Sequence, residues 1–158
     1  ELVDSEVQRE NRKSAYNERH DQLKRAEEIL NVENLGSVKT DQLNKKIIDD
    51  LIIYKRALHV VTENKRTKDA KNFMLKQDMK QFGHLMNLSH LSYSQDFEAS
   101  TKDIDLLVKR SIESGALGCR LTGGGFGGFT VSLIAKKDYE QWCNNMSKYY
   151  SKDKFFKV

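Results

Sequence analysis

Between Gly115 and Ile134, "GALGCRLTGGGFGGFTVSLI", the hydrophobic period of the chain changes, and that change limits the fold more than any other feature. Upstream, apolar residues recur every three or four positions. Here "LGCRLT" and "FTVSLIA" alternate with a period of two and have the composition of strands. The stretch also holds seven of the chain's nine glycines. A largely helical chain that turns into two strands joined by glycines must lay its helices on a small antiparallel sheet, an α+β arrangement of layers.

The remaining pattern fits that frame. "ELVDSEV" (1–7) alternates weakly and reads as a strand. Tyr16, His20, Leu23, Ala26 and Leu30 share one face of a helix, with Ser14 as its candidate N-cap. Thr40 is a candidate cap for a short helix beginning "DQLNKK". Ile48, Leu51, Ile52, Ala57, Val60 and Val61 keep helical register. Phe73 to Leu88 continue it, either as a helix pair or as one helix broken near Gln77–Asp78. In "STKDIDLLVKRSIES" Ser100 or Thr101 caps a helix, Asp103 sits in its first turn, and Gly115 stops it. After the second strand, Tyr139, Trp142, Cys143 and Met146 face one way on a helix, with Trp142 a core residue. "KFFKV" closes as a strand. The absence of proline suits a helix-rich body.

Composition narrows the function. The 27 basic and 23 acidic residues are dispersed and leave a net charge of only +4. The aromatics do not interleave with basic residues, so nucleic acid is not the expected partner. There is no apolar run long enough for a transmembrane helix and no signal-peptide pattern, so no membrane partner is expected. Cys119 and Cys143 lack metal spacing and read as reduced thiols of a cytoplasmic protein. Both ends of the chain read as cut from something longer.

"TGGGFGG" places five glycines in seven positions. A hairpin needs one or two of them for positive φ. Each further glycine costs roughly 0.5–1 kcal/mol relative to alanine when ordered. The surplus suggests close approach of a ligand or of another backbone, and the bare N–H groups of such a loop can form an anion-binding concavity. Arg120 and Thr122 stand beside it and can add a charge and a hydroxyl. Against this, the run has neither the full GxGxxG spacing nor a terminal GK[ST], and it leads into a strand rather than a helix. A ligand-adjacent loop and a purely structural hairpin both remain open on pattern alone.

Other polar groups have plain readings. His20, His59, His84 and His90 have no metal spacing and read as helix-face or buried, hydrogen-bonded groups. Asp96 and Glu98 in "QDFEAS" alternate along an extended segment and so point to opposite faces, as loop and cap groups rather than an acid/base pair. Arg110, Lys65 and Arg66 read as solvated.

Several segments in order carry a family resemblance. "GALGCRLTGGGFGGFTVSL" resembles the third motif of the GHMP small-molecule kinases in its galactokinase form. "SAYNERHDQLKRAEEIL", "KRALHVVTENKRT" and "FGHLMNLSHLSYSQDFEAST" are similar to galactokinase segments that occur in the same order at about the same spacing. Departures are modest: Phe129 stands for a usual cysteine, Cys119 for serine or alanine, and Lys102 for a helix-starting proline. The resemblance implies a ferredoxin-like GHMP C-terminal domain over residues 1–158. It implies an enzyme that uses ATP and Mg2+ to phosphorylate galactose at its C1 hydroxyl. The sugar signature, ATP loop and catalytic residues of such enzymes belong to an N-terminal domain whose motifs do not occur here. By the same resemblance this chain is inactive alone, holds no catalytic residue or metal ligand, and binds no cofactor tightly. Tyr16 is implied to bind the sugar, and Thr122, Gly123, Gly124, Gly125, Phe126, Gly127 and Gly128 to line the interdomain cleft. An N-acetylgalactosamine kinase, a non-catalytic sugar sensor and a ligand-free ferredoxin-like module are the alternatives.

Overall fold

The computed structural model describes residues 1–7 and 12–158. Strand β1 (Leu2–Asp4) is followed by helices α1 (Arg12–Leu30), α2 (Leu51–Leu75), α3 (Met79–Gln95) and α4 (Lys102–Glu113). Strands β2 (Gly118–Leu121) and β3 (Phe129–Leu133), helix α5 (Tyr139–Met146) and strand β4 (Phe155–Phe156) complete the order. The strands form one sheet in the order β2-β3-β1-β4. Every pairing is antiparallel, with Val3 opposite Thr130 and Phe155, and Arg120 opposite Val131. With helices between β1 and β2 and between β3 and β4, this is the ferredoxin-like arrangement that was expected.

Local chemistry explains the helix ends. Asp50 accepts hydrogen bonds from the Ile52 and Ile53 amides and opens α2. The chain turns at Gln77, with φ of 57°, and Asp78 caps α3 by accepting from the Gln81 amide. Of the two readings of this region, the helix pair is the one that forms. Thr101 caps α4, Asp103 and Asp105 fill its first turn, and Gly115 at φ 115° ends it.

Two expectations are corrected. Helix α1 begins at Arg12, so Ser14 lies inside its first turn and is not its N-cap. Residues 40–47 form turns, not a short helix, and Thr40 caps nothing helical. The reason is competition for backbone donors. Gln42 Oε1 takes the Lys39 amide (2.8 Å) and Asn44 Oδ1 takes the Lys46 amide (2.9 Å). Side chains that satisfy the backbone locally remove the gain from helical hydrogen bonds.

The core has three parts. Ala26, Leu35, Ile48, Ile53, Ala57 and Val61 pack α1 against α2. Val3, Leu107, Trp142 and Met146 fill the space between β1, α4 and α5. Ile104, Val108, Cys119 and Leu121 seal α4 on β2. Trp142 is fully buried as expected, and its indole N–H donates to the Ser111 carbonyl (3.1 Å).

Strand β2 is at the edge of the sheet, and α3 covers it. The Cys119 amide donates to Asn87 Oδ1 (2.9 Å) and the Leu121 amide to His90 Nδ1 (3.3 Å). Asn87 and His90 lie on one face of α3, and they take the alternate amides that the edge leaves unpaired. Cys119 and Cys143 are both free thiols. Burial holds the Cys119 thiol above its ordinary pKa. Among the described residues no helix is long and apolar enough to cross a membrane.

Candidate functional site

The glycine run closes the β2–β3 hairpin. The Thr122 amide donates to the Phe129 carbonyl (2.9 Å), and the chain beyond it loops out. Gly123, Gly125, Gly127 and Gly128 all have positive φ, and so does Phe126 at 58°. Two bonds tether the loop: the Phe126 amide to the Ala99 carbonyl (2.8 Å) and the Ser5 amide to the Gly128 carbonyl (3.0 Å).

Two glycines show what the run is for. A Cβ on Gly125 would lie 2.5 Å from the Ala99 carbonyl oxygen and 3.0 Å from the Tyr93 hydroxyl, so this glycine answers to its own domain. A Cβ on Gly123 would meet nothing within 4 Å, although φ is 86° there. Gly125 therefore lets the loop sit on the body of the domain. Gly123, at the exposed tip, leaves a bare backbone open to whatever approaches.

The turn that seats the loop is itself unusual. Asp96 is in the right-handed region (φ −99°, ψ −44°) and Glu98 is left-handed at φ 52°. The segment is not extended, so the expected alternation of Asp96 and Glu98 does not apply. Both do act as loop groups. Asp96 accepts from the Ser92 hydroxyl (2.8 Å), and the Glu98 carboxylate pairs with Arg56 (2.7 Å). The hydrogen bond from Arg56 holds the Glu98 carboxyl below its ordinary range.

Arg56 is the polar group that sequence reasoning passed over. It sits on the buried face of α2, next to Ala57, and is only 2% exposed. Besides Glu98, it donates to Gln22 Oε1 (2.8 Å) and to the Asp96 carbonyl (2.6 Å). Arg19 of α1 joins it, with Nε on the Phe97 carbonyl (2.7 Å) and Nη2 on the Glu98 carbonyl (3.1 Å). A charged residue inside an apolar helical register was the available signal, because a buried charge requires partners.

His59 is buried beside this network. Its ring stacks on Phe97 with centroids 4.8 Å apart, and its Nδ1 meets the Ser92 hydroxyl (3.1 Å). Ser92 donates its own proton to Asp96, so it accepts from His59. Burial pushes the His59 pKa down to about 4, against the opposing charge of Glu63. His90 is lowered by burial as well, and its Nε2 faces Asp105 (3.0 Å). Both histidines are hydrogen-bonded internal groups, as expected. Among the described residues no three of His, Cys, Asp and Glu come together as a metal site.

Tyr16 is 57% exposed on α1. It lies one turn before Arg19, whose guanidinium stands 6.0 Å over the Phe126 ring. The helix face of Tyr16 and the glycine loop thus meet through Arg19. Arg120 is not part of this cluster. Strand alternation turns it away from the loop to Glu63 of α2 (3.8 Å), in a groove of about 760 Å³ lined by Met74, Phe82, Met86, Val131 and Leu133. The reading of Arg110 and Arg66 as solvated is corrected too. Arg110 stacks on the Tyr149 ring (4.3 Å), and Arg66 is largely covered and faces Glu63 (3.5 Å). Lys65 is exposed and pairs with Asp69.

The profile described as "GHMP kinases C terminal" matches residues 70–151, which run from the end of α2 through α3, α4, the glycine hairpin and α5. The chain belongs to the GHMP kinases. Its match to curated relatives extends further upstream. It is 36% identical over 156 residues to a galactokinase of Levilactobacillus brevis, covering 94% of this chain and 40% of that protein. It is 39% identical to a galactokinase of Fusobacterium nucleatum over 87% of this chain and 37% of that protein. The crystal structure of Lactococcus lactis galactokinase complexed with galactose superposes with a TM-score of 0.87 at 30% identity, over 93% of this chain and 40% of that one. Mevalonate kinase of L. major, at 18% identity and a TM-score of 0.64, shares the fold. This GHMP kinase chain therefore spans about 40% of the length of such relatives.

Proposed function

We propose that this chain is the C-terminal domain of a galactokinase, which moves the γ-phosphoryl group of ATP to the C1 hydroxyl of galactose. The observation that carries the reading is the close superposition on the galactose-bound Lactococcus lactis enzyme along nearly the whole chain. In this reading the sugar and Mg-ATP bind between this domain and an N-terminal one, in the cytoplasm. Tyr16 is the sugar-binding residue of this half. Its exposure on α1 suits a hydroxyl that meets a ligand from outside the domain. Thr122, Gly123, Gly124, Gly125, Phe126, Gly127 and Gly128 line the cleft, and the open backbone at Gly123 suits close approach by a phosphate or by the facing domain.

In this reading Mg2+ and the catalytic groups belong to the N-terminal half, where the family resemblance puts the ATP loop. ATP supplies the phosphoryl group. What this domain's residues contribute is placement: they orient the acceptor hydroxyl, shape the wall of the cleft and keep water from the reacting oxygen. Placement and charge stabilisation are the main terms in phosphoryl transfer generally.

The test is ADP release by this 158-residue chain and by the same chain joined to its upstream kinase half. Galactose, N-acetylgalactosamine and no sugar are compared. Turnover with galactose by the longer protein only is the expected result. Preference for the N-acetyl sugar reassigns the substrate. Heat of galactose binding without turnover identifies a sensor, and neither binding nor turnover rejects the reading.

A further inference from the structure

Two arginines from different helices converge on the turn that seats the glycine loop. Arg56 takes the carbonyl of Asp96, Arg19 takes those of Phe97 and Glu98, and Arg56 also holds the Glu98 carboxylate. Gln22 links the pair, accepting from Arg56 Nε at 2.8 Å and from Arg19 Nη1 at 3.4 Å. Three consecutive carbonyls are thereby fixed by two rigid, planar donors, a task for which lysine's single point charge is a poor substitute. The left-handed backbone at Glu98 is a conformation that a non-glycine residue keeps only when its surroundings over-determine it.

The next carbonyl in the chain is that of Ala99, and it is the seat of the loop. It accepts the Phe126 amide at 2.8 Å, and the bare Cα of Gly125 packs on it. The peptide unit held by Arg19 at Glu98 adjoins the one whose carbonyl holds the loop. Arg19 also reaches the loop directly, over the Phe126 ring, and stands one helical turn from Tyr16.

We propose that Arg19 and Arg56 are positioning residues for the phosphoryl-transfer cleft. They set the 96–99 turn and, through the Ala99 carbonyl, fix the glycine loop at a defined place relative to Tyr16. This rests on the reading above, in which Tyr16 and the loop form this domain's side of the cleft. A loop displaced by about 1 Å can cost on the order of a hundredfold in rate without any lost contact to the substrate.

The test uses Arg19→Gln, Arg19→Lys and Glu98→Gln, because substitution of the buried Arg56 can prevent folding. In the 158-residue chain, amide hydrogen exchange is read at Phe126, which bonds to Ala99, and at Leu117, which bonds to Leu133 in the sheet. Exchange at Phe126 rises at least about tenfold in Arg19→Gln, less in Arg19→Lys, and by several-fold in Glu98→Gln, which weakens the hold of Arg56 on the turn, while Leu117 stays unchanged in all three. Equal acceleration at both amides means general destabilisation, and no change at either means no coupling. Each of those outcomes overturns the proposal. In the protein carrying its kinase half, kcat falls about tenfold in Arg19→Gln with KM for ATP within about twofold, and Arg19→Lys recovers part of the loss. An unchanged kcat overturns the role in the cleft. If the unsubstituted longer protein turns over no sugar, the kinase reading is what fails, and the contrast between Phe126 and Leu117 still decides whether the arginines seat the loop.

Discussion

A Cβ atom on Gly118 would lie 2.3 Å from the carbonyl oxygen of Gly83, and one on Gly83 would lie 2.5 Å from the carbonyl of Leu117. Helix α3 and strand β2 therefore touch backbone to backbone. The contact is what lets Asn87 and His90 reach the amides of the edge strand. Gly83→Ala or Gly118→Ala must push the helix off the strand, because the opposing atoms are backbone and cannot rotate away. Each is expected to destabilise the chain by about 2–4 kcal/mol, read as a lower urea midpoint at constant slope. A change under about 0.5 kcal/mol in either would mean that α3 packs more loosely than its geometry.

The glycine loop gives a contrasting pair. Gly125→Ala meets the Ala99 carbonyl at 2.5 Å in a backbone at φ 84°, whereas Gly123→Ala meets open space at φ 86°. The left-handed backbone alone costs alanine about 1–2 kcal/mol. Gly125→Ala should exceed that cost and also break the Phe126–Ala99 bond, visible as lost amide protection at Phe126. Gly123→Ala should show the conformational cost only, with Phe126 still protected. Equal effects at the two positions would contradict this division of roles.

The legibility of the chain followed the range of the interactions. Periodicity located every strand and the long helices because burial acts on each residue of an element. The caps at Thr101 and Asp78 and the stop at Gly115 are bonds within four residues; Gly115 was read directly and Thr101 was one of two candidates. Thr40 and Ser14 failed for different reasons: after Thr40, Gln42 and Asn44 took backbone amides that a helix would have used, whereas Ser14 lies inside a helix that starts at least two residues earlier. The surplus glycines suggested close approach of a ligand or another backbone; at Gly125 the neighbour is the Ala99 carbonyl, 26 residues upstream in the same domain, and at Gly123 no atom of the described residues approaches. Arg19 and Arg56 were missed because their partners at 96–98 lie 40 or more residues away in sequence. Spacing rules carry no information over that distance. The misread alternation of Asp96 and Glu98 came from the same network, which bends the backbone out of the extended form.

Histidine burial sets an acid limit on stability. The folded pKa of His59, about 4, lies below its ordinary 6.5, so the unfolded chain binds the proton more tightly. The contribution of neutral His59 is complete above pH 6.5 and is lost as pH falls from 6.5 towards 4, up to about 3 kcal/mol in all. His90 is shifted in the same direction and adds to the loss. The shifted Glu98 carboxylate acts lower, below its ordinary 4.5. Urea midpoints should therefore fall between pH 6.5 and 4.5, and His59→Phe, which keeps the stacking on Phe97, should flatten that slope. A slope that survives the substitution intact would assign the acid sensitivity elsewhere.

Tyr16 separates function from stability most cleanly. Its ring is more than half exposed, so Tyr16→Phe removes a hydroxyl that the fold does not need, and stability should change by no more than about 0.5 kcal/mol. In the protein joined to its kinase half, a lost hydrogen bond to the sugar is worth about 1 kcal/mol, or roughly five- to tenfold. KM for galactose should rise by that factor while KM for ATP stays constant, because the hydroxyl is proposed to meet only the sugar. Steady-state kinetics with each substrate varied in turn measure both. Parallel loss of affinity for ATP would move Tyr16 from sugar binding to a general role in closing the cleft.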